Sequence, residues 1–428
     1  MKFDKIDKYL LNKVNVLSSD ENLYAFIFSN HVERLKKILN FNKIQIINEY
    51  SFINALFCKL KKGDILGLSD YQEIDYISSV MNVNALMYIS KKILGTEELF
   101  SSGRNINIAF IDTGITPHCD FSLGENRIKF FKDFVNDKSQ PYDDNGHGTF
   151  VCGVCSGNGN LSALKYSGIA PCSNIFALKA LNNKGEASAN QILDAMQWVY
   201  DNHKKYDIKI VCMSFGSEPI GHNDPIMIGA ETLWKEGVVI VAAAGNSGPE
   251  YQTIKSPGVS SKIITVGGFD DKRKSNKYFN EEDFDVAKFS SRGPAYQRFK
   301  PDIIAPSVDI ISCGKDKDYI TLSGTSVATP MVSGLVALIY EKYKDITPDE
   351  IKRILLSSCK PIVNNKNFEG FGYPQINRYL NIWIYEYFLI RLKISSFALF
   401  LLNFFILFIK KSLFFISLSS CWRNFVGV

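Results

Sequence analysis

Asn105-Ile-Asn-Ile-Ala-Phe-Ile-Asp112-Thr-Gly114 is the stretch on which the fold turns. From Ile106 to Ile111 only Asn107 is polar, so the run has no polar face and reads as a strand buried on both sides. Outward from it, apolar β-rich runs recur at 175–181, 208–214, 238–244, 263–266 and 309–312, with helical patterns near 189–203, 225–236 and 329–343. Strands that are apolar throughout and alternate with helices predict an α/β domain with a parallel sheet covered on both faces. Asp112 then stands at the carboxyl end of a strand, the edge at which open α/β sheets assemble their sites.

The chain has 428 residues, 46% hydrophobic and 22% charged, a balance that excludes disordered, collagen-like and disulfide-stapled classes. The net charge of +5 is too small to imply a nucleic-acid partner. Most of that excess comes from Arg391, Lys393, Lys410, Lys411 and Arg423 near the C-terminus. Nine cysteines, an odd number scattered from Cys58 to Cys421, predict reduced core residues and a cytoplasmic setting. The first residues alternate charge with apolar side chains and hold no uninterrupted apolar run, so no secretory signal is expected.

Three further segments carry chemistry. His147 stands in Asp143-Asp-Asn-Gly-His-Gly-Thr149, where glycines on either side allow close backbone approach and Thr149 helps to start a helix. Of the five histidines it alone has such a frame; His31, His203 and His222 read as exposed polar residues and His118 as a loop residue. Ser326, in Ser323-Gly-Thr-Ser-Val-Ala-Thr-Pro330, reads as lying just before a helix that starts at Thr329, where negative charge is favoured. Asn246, in Val241-Ala-Ala-Ala-Gly-Asn-Ser-Gly-Pro249, ends another apolar strand and carries an amide suited to an oxyanion. Singly, each has a plain reading as a turn residue or a helix cap. Four such residues at four element ends form one signal.

Ile111-Asp-Thr-Gly, Asn145-Gly-His-Gly-Thr, Ala243-Ala-Gly-Asn-Ser-Gly-Pro and Gly324-Thr-Ser-Val-Ala-Thr-Pro resemble the four diagnostic blocks of the subtilisin-like serine proteases, in the chain order Asp, His, Ser. Residues 256–259, 289–294 and 300–306 are similar to further blocks of that family, most of all to its intracellular alkaline branch. The resemblance spans roughly 93–381. It implies a three-layer αβα fold on a mainly parallel seven-stranded sheet. It also implies a serine endopeptidase in which His147 activates Ser326, Asp112 orients His147, and Asn246 with the Ser326 N–H binds the oxyanion. A protein or peptide substrate would add as a strand along Gly185, Glu186, Ala187 and Ser188 and along Ser214, Phe215 and Gly216. Ala243, Ala244 and Gly245 would form one wall of the pocket for the residue before the scissile bond, where small residues leave room for a large apolar side chain. No cofactor is required for this chemistry. Structural calcium would have no assigned residues, because the calcium loop of the secreted members is not visible in 156–171. Phe150 and Val327 replace a His and a Met usual in the family, both at packing positions, and Cys152 and Cys155 read as core packing. The alternative is a catalytically silent scaffold of the same shape that regulates or binds a partner.

Residues 23–80 read as strand 23–28, helix 31–39, strand 43–48, strand 52–60, helix 64–71 and strand 74–80, the βαββαβ order of a split βαβ unit. This resembles the family's propeptide. It implies an N-terminal extension (1–20), a small α+β inhibitor module (21–88) and a catalytic domain (89–381), with self-processing between Ser78 and Lys92. In the hydrophobic tail (382–428), the almost wholly apolar stretch 394–409 reaches roughly 24 Å as a helix, short of the ~30 Å hydrocarbon core of a bilayer. The tail therefore reads as a membrane anchor helped by flanking residues, as an amphipathic surface segment, or as the product of a shifted coding end.

Overall fold

Every second residue of β1 (Asn22–Phe28), namely Leu23, Ala25 and Ile27, is buried, which turns one face of the strand inward. The structure, a computed structural model, describes residues 5, 6, 10, 11, 14, 22–79, 86–96, 101–122, 124–273 and 281–376. After β1 come α1 (Val32–Phe41), β2 (Gln45–Tyr50), β3 (Ala55–Lys61), α2 (Lys62–Leu68) and β4 (Tyr76–Ser79). These strands form an antiparallel sheet in the order β2-β3-β1-β4. Leu35 and Leu39 of α1 and Ile65 and Leu68 of α2 close its inner face in a hydrophobic cluster separate from the main core. The next helix, α3 (Leu86–Ile93), belongs to the larger body instead: Ile93 packs with Phe269, Phe284, Val286, Ile304 and Tyr373, and Leu94 joins the main core.

The body is built on β5 (Asn107–Asp112), β6 (Ile128–Asp133), β7 (Asn174–Lys179), β8 (Ile208–Met213), β9 (Val239–Ala243), β10 (Ile264–Asp270), β11 (Asp285–Val286) and β12 (Ile303–Pro306). The sheet order is β11-β10-β9-β8-β5-β7-β6, with β12 also on β10. All the pairings are parallel except that of the two-residue β11, so the expected seven parallel strands gain one antiparallel edge strand. Between the strands and after them lie α4 (His147–Ser156), α5 (Ala189–Asn202), α6 (Pro225–Lys235), the hairpin β13 (Ile310–Cys313) with β14 (Tyr319–Leu322), α7 (Thr325–Lys342) and α8 (Pro348–Ser357). α4 and most of α7 are buried on all sides, which is why neither reads as amphipathic.

The winding puts the site where it is. The chain leaves β5 towards β7 and β6 on one side and then returns to β8 on the other, so β5 is the switch point of the sheet, and Asp112 ends it. The sequence readings for the tail (382–428), for the segment 80–85 and for most of 1–20 lie outside the described residues. Among the described residues no helix is long and apolar enough to cross a membrane.

Candidate active site

Asp112 is 2% exposed at the carboxyl end of β5, and its Oδ1 accepts hydrogen bonds from the Thr113 N–H at 2.7 Å and from His147 Nδ1 at 2.7 Å. His147 opens α4, and the loop before it is held by one buried carboxylate. Asp143 Oδ1 accepts from Thr113 Oγ1, Asn145 N and Gly146 N, and Oδ2 from Thr149 N and Thr149 Oγ1. Thr113 Oγ1 in turn accepts from Gly148 N, so the turn after β5 and the start of α4 are locked to each other. Burial works to lower the His147 pKa. The Asp112 charge, the hydrogen bond to Asp112 and the Asp143 charge outweigh it and hold the imidazole above the usual histidine value.

Ser326 lies in the first turn of α7, because that helix starts at Thr325, four residues earlier than the sequence suggests. Thr329-Pro330 looks like a cap followed by a first-turn proline, yet Pro330 sits inside the helix, where it removes the bond to the Ser326 carbonyl. The helix start is tied to the loop after β9: Asn246 Oδ1 accepts from Thr325 N and Thr325 Oγ1, both at 2.9 Å, and the Gly245 N–H donates to Thr325 Oγ1. This aims the other end of the Asn246 amide away from the tie. Gly324, at φ 154°, supplies the free space: a Cβ there would lie 3.1 Å from Ser326 Oγ and 3.2 Å from Asn246 Nδ2. Hydroxyl and amide therefore face one small gap. Among the described residues Ser326 and His147 share no hydrogen bond.

Gly185, Glu186 and Ala187 on one side and Phe215 and Gly216 on the other line a single cavity of about 460 Å³, with Leu181, Ile192 and Ile226 also in its lining. Ser188 caps α5 through Gln191, and Ser214 is buried at the end of β8, so neither lines that cavity. Ala243, Ala244 and Gly245 are buried at the end of β9 as expected of a wall. The room they leave is taken. Lys255 lies with its stem between Gly216 and Gly245: a Cβ on the first would fall 2.6 Å from Lys255 Cβ, and one on the second 2.5 Å from Lys255 Cγ. The sequence reading of an open apolar pocket is corrected accordingly. Nothing local in Lys255-Ser-Pro-Gly258 announces this, since the two walls come from distant strands.

His203 departs from its sequence reading as an exposed residue, since it is buried; His118 lies in a loop as read, and is buried there. His118 Nδ1 accepts from the Asp120 N–H at 3.1 Å and Nε2 lies 3.0 Å from the Asp318 carbonyl, while Asp120 Oδ2 accepts from Tyr319 and Cys313 and Oδ1 from Leu161 N. His118, Asp120 and Cys313 are thus close enough to share an ion, but their donor atoms are engaged with each other and with neighbours. A thiol and an imidazole are not the all-oxygen set that calcium takes. Cys152 and Cys155 are free and fully buried, and burial raises both thiols, as befits packing residues.

The arrangement at the carboxyl edge, with Asp112 from β5, His147 from α4, Asn246 after β9 and Ser326 from α7, can be compared with known proteins. Residues 103–373 match the Peptidase_S8 model, the subtilase family. The chain belongs to the subtilase family. Among the relatives of this subtilase is the serine protease AprX of Bacillus subtilis (strain 168), 42% identical over 59% of this chain and 61% of AprX. Subtilisin DY of Bacillus licheniformis is 32% identical over 60% of this chain and 84% of its own. The chain's match spans less than two thirds of the length of AprX. Among solved structures, sphericase superposes with a TM-score of 0.59 at 30% identity, covering 67% of this subtilase and 96% of sphericase.

Proposed function

We propose that this subtilase is a serine endopeptidase that hydrolyses peptide bonds of protein or peptide substrates. The observation that carries the reading is the 2.7 Å bond from His147 to a buried Asp112 on the same sheet edge where Ser326 Oγ and Asn246 Nδ2 meet over Gly324. A serine hydroxyl is a weak nucleophile at its free pKa; His147 takes its proton as Ser326 attacks the carbonyl carbon and hands it to the leaving amine. Asp112 fixes Nδ1 as the protonated nitrogen, leaves Nε2 to act as base, and stabilises the imidazolium. The negative oxygen of the tetrahedral intermediate is held by Asn246 Nδ2 and the Ser326 N–H at the positive end of α7. Water repeats the sequence on the acyl-enzyme. The test is labelling with a fluorophosphonate: the parent takes up the probe at Ser326, Ser326→Ala does not, and an unlabelled parent removes the proposal.

The silent-scaffold reading draws on one observation, that Ser326 and His147 share no hydrogen bond among the described residues. Such bonds commonly tighten only when substrate is present. The labelling experiment separates the two readings.

The residues before α3 form the propeptide in this proposal, inhibiting the site until removed by self-processing between Ser78 and Lys92. Support comes from the separate cores of 22–79 and of the body, and from α3 and Leu94, which pack with the body. Weighing the parent and Ser326→Ala side by side tests it: the parent loses roughly its first 80 to 90 residues and the mutant none. A cytoplasmic setting, with the tail as the route to any membrane attachment, is supported by the free state of all eight described cysteines; fractionation of the full chain against a form ending at Asn381 checks it. Calcium is proposed as a structural ion only, and unchanged thermal stability in a chelator would dismiss it.

A further inference from the structure

We infer that Lys255 makes the pocket for the residue before the scissile bond selective for acidic side chains; this rests on the endopeptidase reading and names the substrate class of the same site. Three observations converge on it. The first is where the lysine is held: its N–H donates to the Ala244 carbonyl at 2.9 Å, and the next residue, Ser256, exchanges two backbone bonds with Ser217, at 2.9 and 3.0 Å. The residue is therefore stitched on one side to the wall Ala243–Gly245 and on the other to the edge segment that ends at Gly216. Its position is set by the backbone of both walls and does not depend on a loose side chain.

The second is what the stem fills. Gly216 and Gly245 have no side chains, and Lys255 Cβ and Cγ occupy the space between them, so a bulky apolar guest must compete with the stem for the same volume.

The third is what the head does. Lys255 Nζ is bonded to the carboxylate of Glu218, and the two differ sharply in exposure: the Lys255 side chain is 16% exposed and that of Glu218 80%. Exposed ion pairs are worth little, because water competes for both partners. The lysine is held by its backbone and mostly buried stem, whereas Glu218 swings into solvent at small cost. Glu218 thus stands where a substrate carboxylate would stand. A substrate glutamate or aspartate, held in place by its own backbone along the edge segments, takes its place with a charge-assisted bond to Lys255 Nζ. A lysine or arginine guest meets a like charge, and a phenylalanine guest meets the stem.

The experiment uses the full chain and tetrapeptide p-nitroanilides Ala-Ala-Ala-X with X as Glu, Phe, Ala or Lys, after fluorophosphonate titration has counted working sites. The expected result is a kcat/KM for Glu at least about tenfold above that for Phe and for Lys. Lys255→Met keeps the stem and removes the charge, and should abolish the Glu preference without admitting Phe. Lys255→Ala removes both and should invert the order to favour Phe. Thermal unfolding of each variant identifies any that fails to fold, and the ranking by the parent stands on its own in that case. Phe or Ala preferred over Glu by the parent, or an unchanged Glu-to-Phe ratio in Lys255→Met, overturns the inference while leaving the endopeptidase reading intact. Absence of labelling at Ser326 is failure of that reading instead; calorimetry of the free acids Ala-Ala-Ala-Glu and Ala-Ala-Ala-Phe binding to the parent then decides the pocket's preference by itself.

Discussion

The body and the N-terminal module solve the same physical problem at different scales. In the body, helices cover both faces of a parallel sheet, and buried polar hubs brace its carboxyl edge, with Asp143 alone accepting five hydrogen bonds. In the module two helices close one face of a four-stranded sheet, and the opposite face carries Tyr24, Phe26, Phe28, Tyr50, Phe57 and Tyr76, whose rings pack on one another. Tyr24 and Tyr76 are 46% and 40% exposed. A half-covered sheet of this size sits near the margin of independent stability. The difference teaches that the body stores its precision in buried polar hubs, whereas the module spends its apolar surface on a face that suits contact with something larger.

The sharpest way to break the comparison is to remove the nucleophile. Ser326→Ala should lower kcat by on the order of 10⁶-fold without moving the unfolding midpoint of the body, since one oxygen at the mouth of the site is lost and no hub is touched. A stability loss as large as that of a core substitution would mean that the site and the scaffold are not separable.

Next in size is Asp112→Asn, expected to slow turnover by about 10⁴-fold and to alter the pH profile. His147 must be neutral to act as base, and its pKa is held above the usual value. Activity of the parent should therefore rise with pH through a midpoint above about 6.5. Removing the Asp112 charge removes a raising influence, so the acid limb should move to lower pH; kcat/KM measured from pH 5 to 9 checks the sign. Asn246→Ala should follow with a loss of about 10² to 10³ in kcat and little change in KM, since the amide acts on the intermediate.

Asp143→Ala tests the hub. It strands three backbone N–H groups in a buried turn, each worth about 1–3 kcal/mol when left unpaired, and should cost the body on the order of 3 kcal/mol by urea titration. Activity should fall as well through a misplaced His147, and Asp143→Asn should recover part of both. Unaltered stability would show that the turn after β5 is held by other means.

What was legible in the sequence divides along the same line. Asp112, His147, Asn246 and Ser326 could be picked out because each ends or begins an element whose apolar pattern is local. The start of α7 was misread because Thr329-Pro330 carries a local start signal, while the true start depends on Asn246, 79 residues away, accepting from Thr325. Lys255 was invisible for a related reason: the glycines it fills are 39 and 10 residues earlier, and a missing side chain leaves no pattern. His118 is in a loop as read, but its burial was not legible, since its partner at Asp318 lies 200 residues along the chain. Local periodicity finds element ends, but not what distant backbones bring to them.

The smallest expected effect tests the module's side of the comparison. Phe57 is half-buried on the outward face, stacked against Tyr24 at 5.8 Å and tilted against Phe26 at 5.0 Å between ring centroids. If that face serves mainly to hold the module together, Phe57→Ala removes packing from a small sheet and should destabilise it by about 3 kcal/mol or more, as for a core aromatic. If the face serves contact with the body, the ring is only partly covered within the module and the loss of internal stability should stay near 1 kcal/mol. The change would then be read in regulation instead. Carried in the full chain, Phe57→Ala should raise the activity measured as processing completes by about tenfold, the equivalent of roughly 1.4 kcal/mol of lost grip, because a module that holds less tightly clears the cleft sooner. A large stability loss with no change in that early activity would assign the aromatic face to the module's own fold.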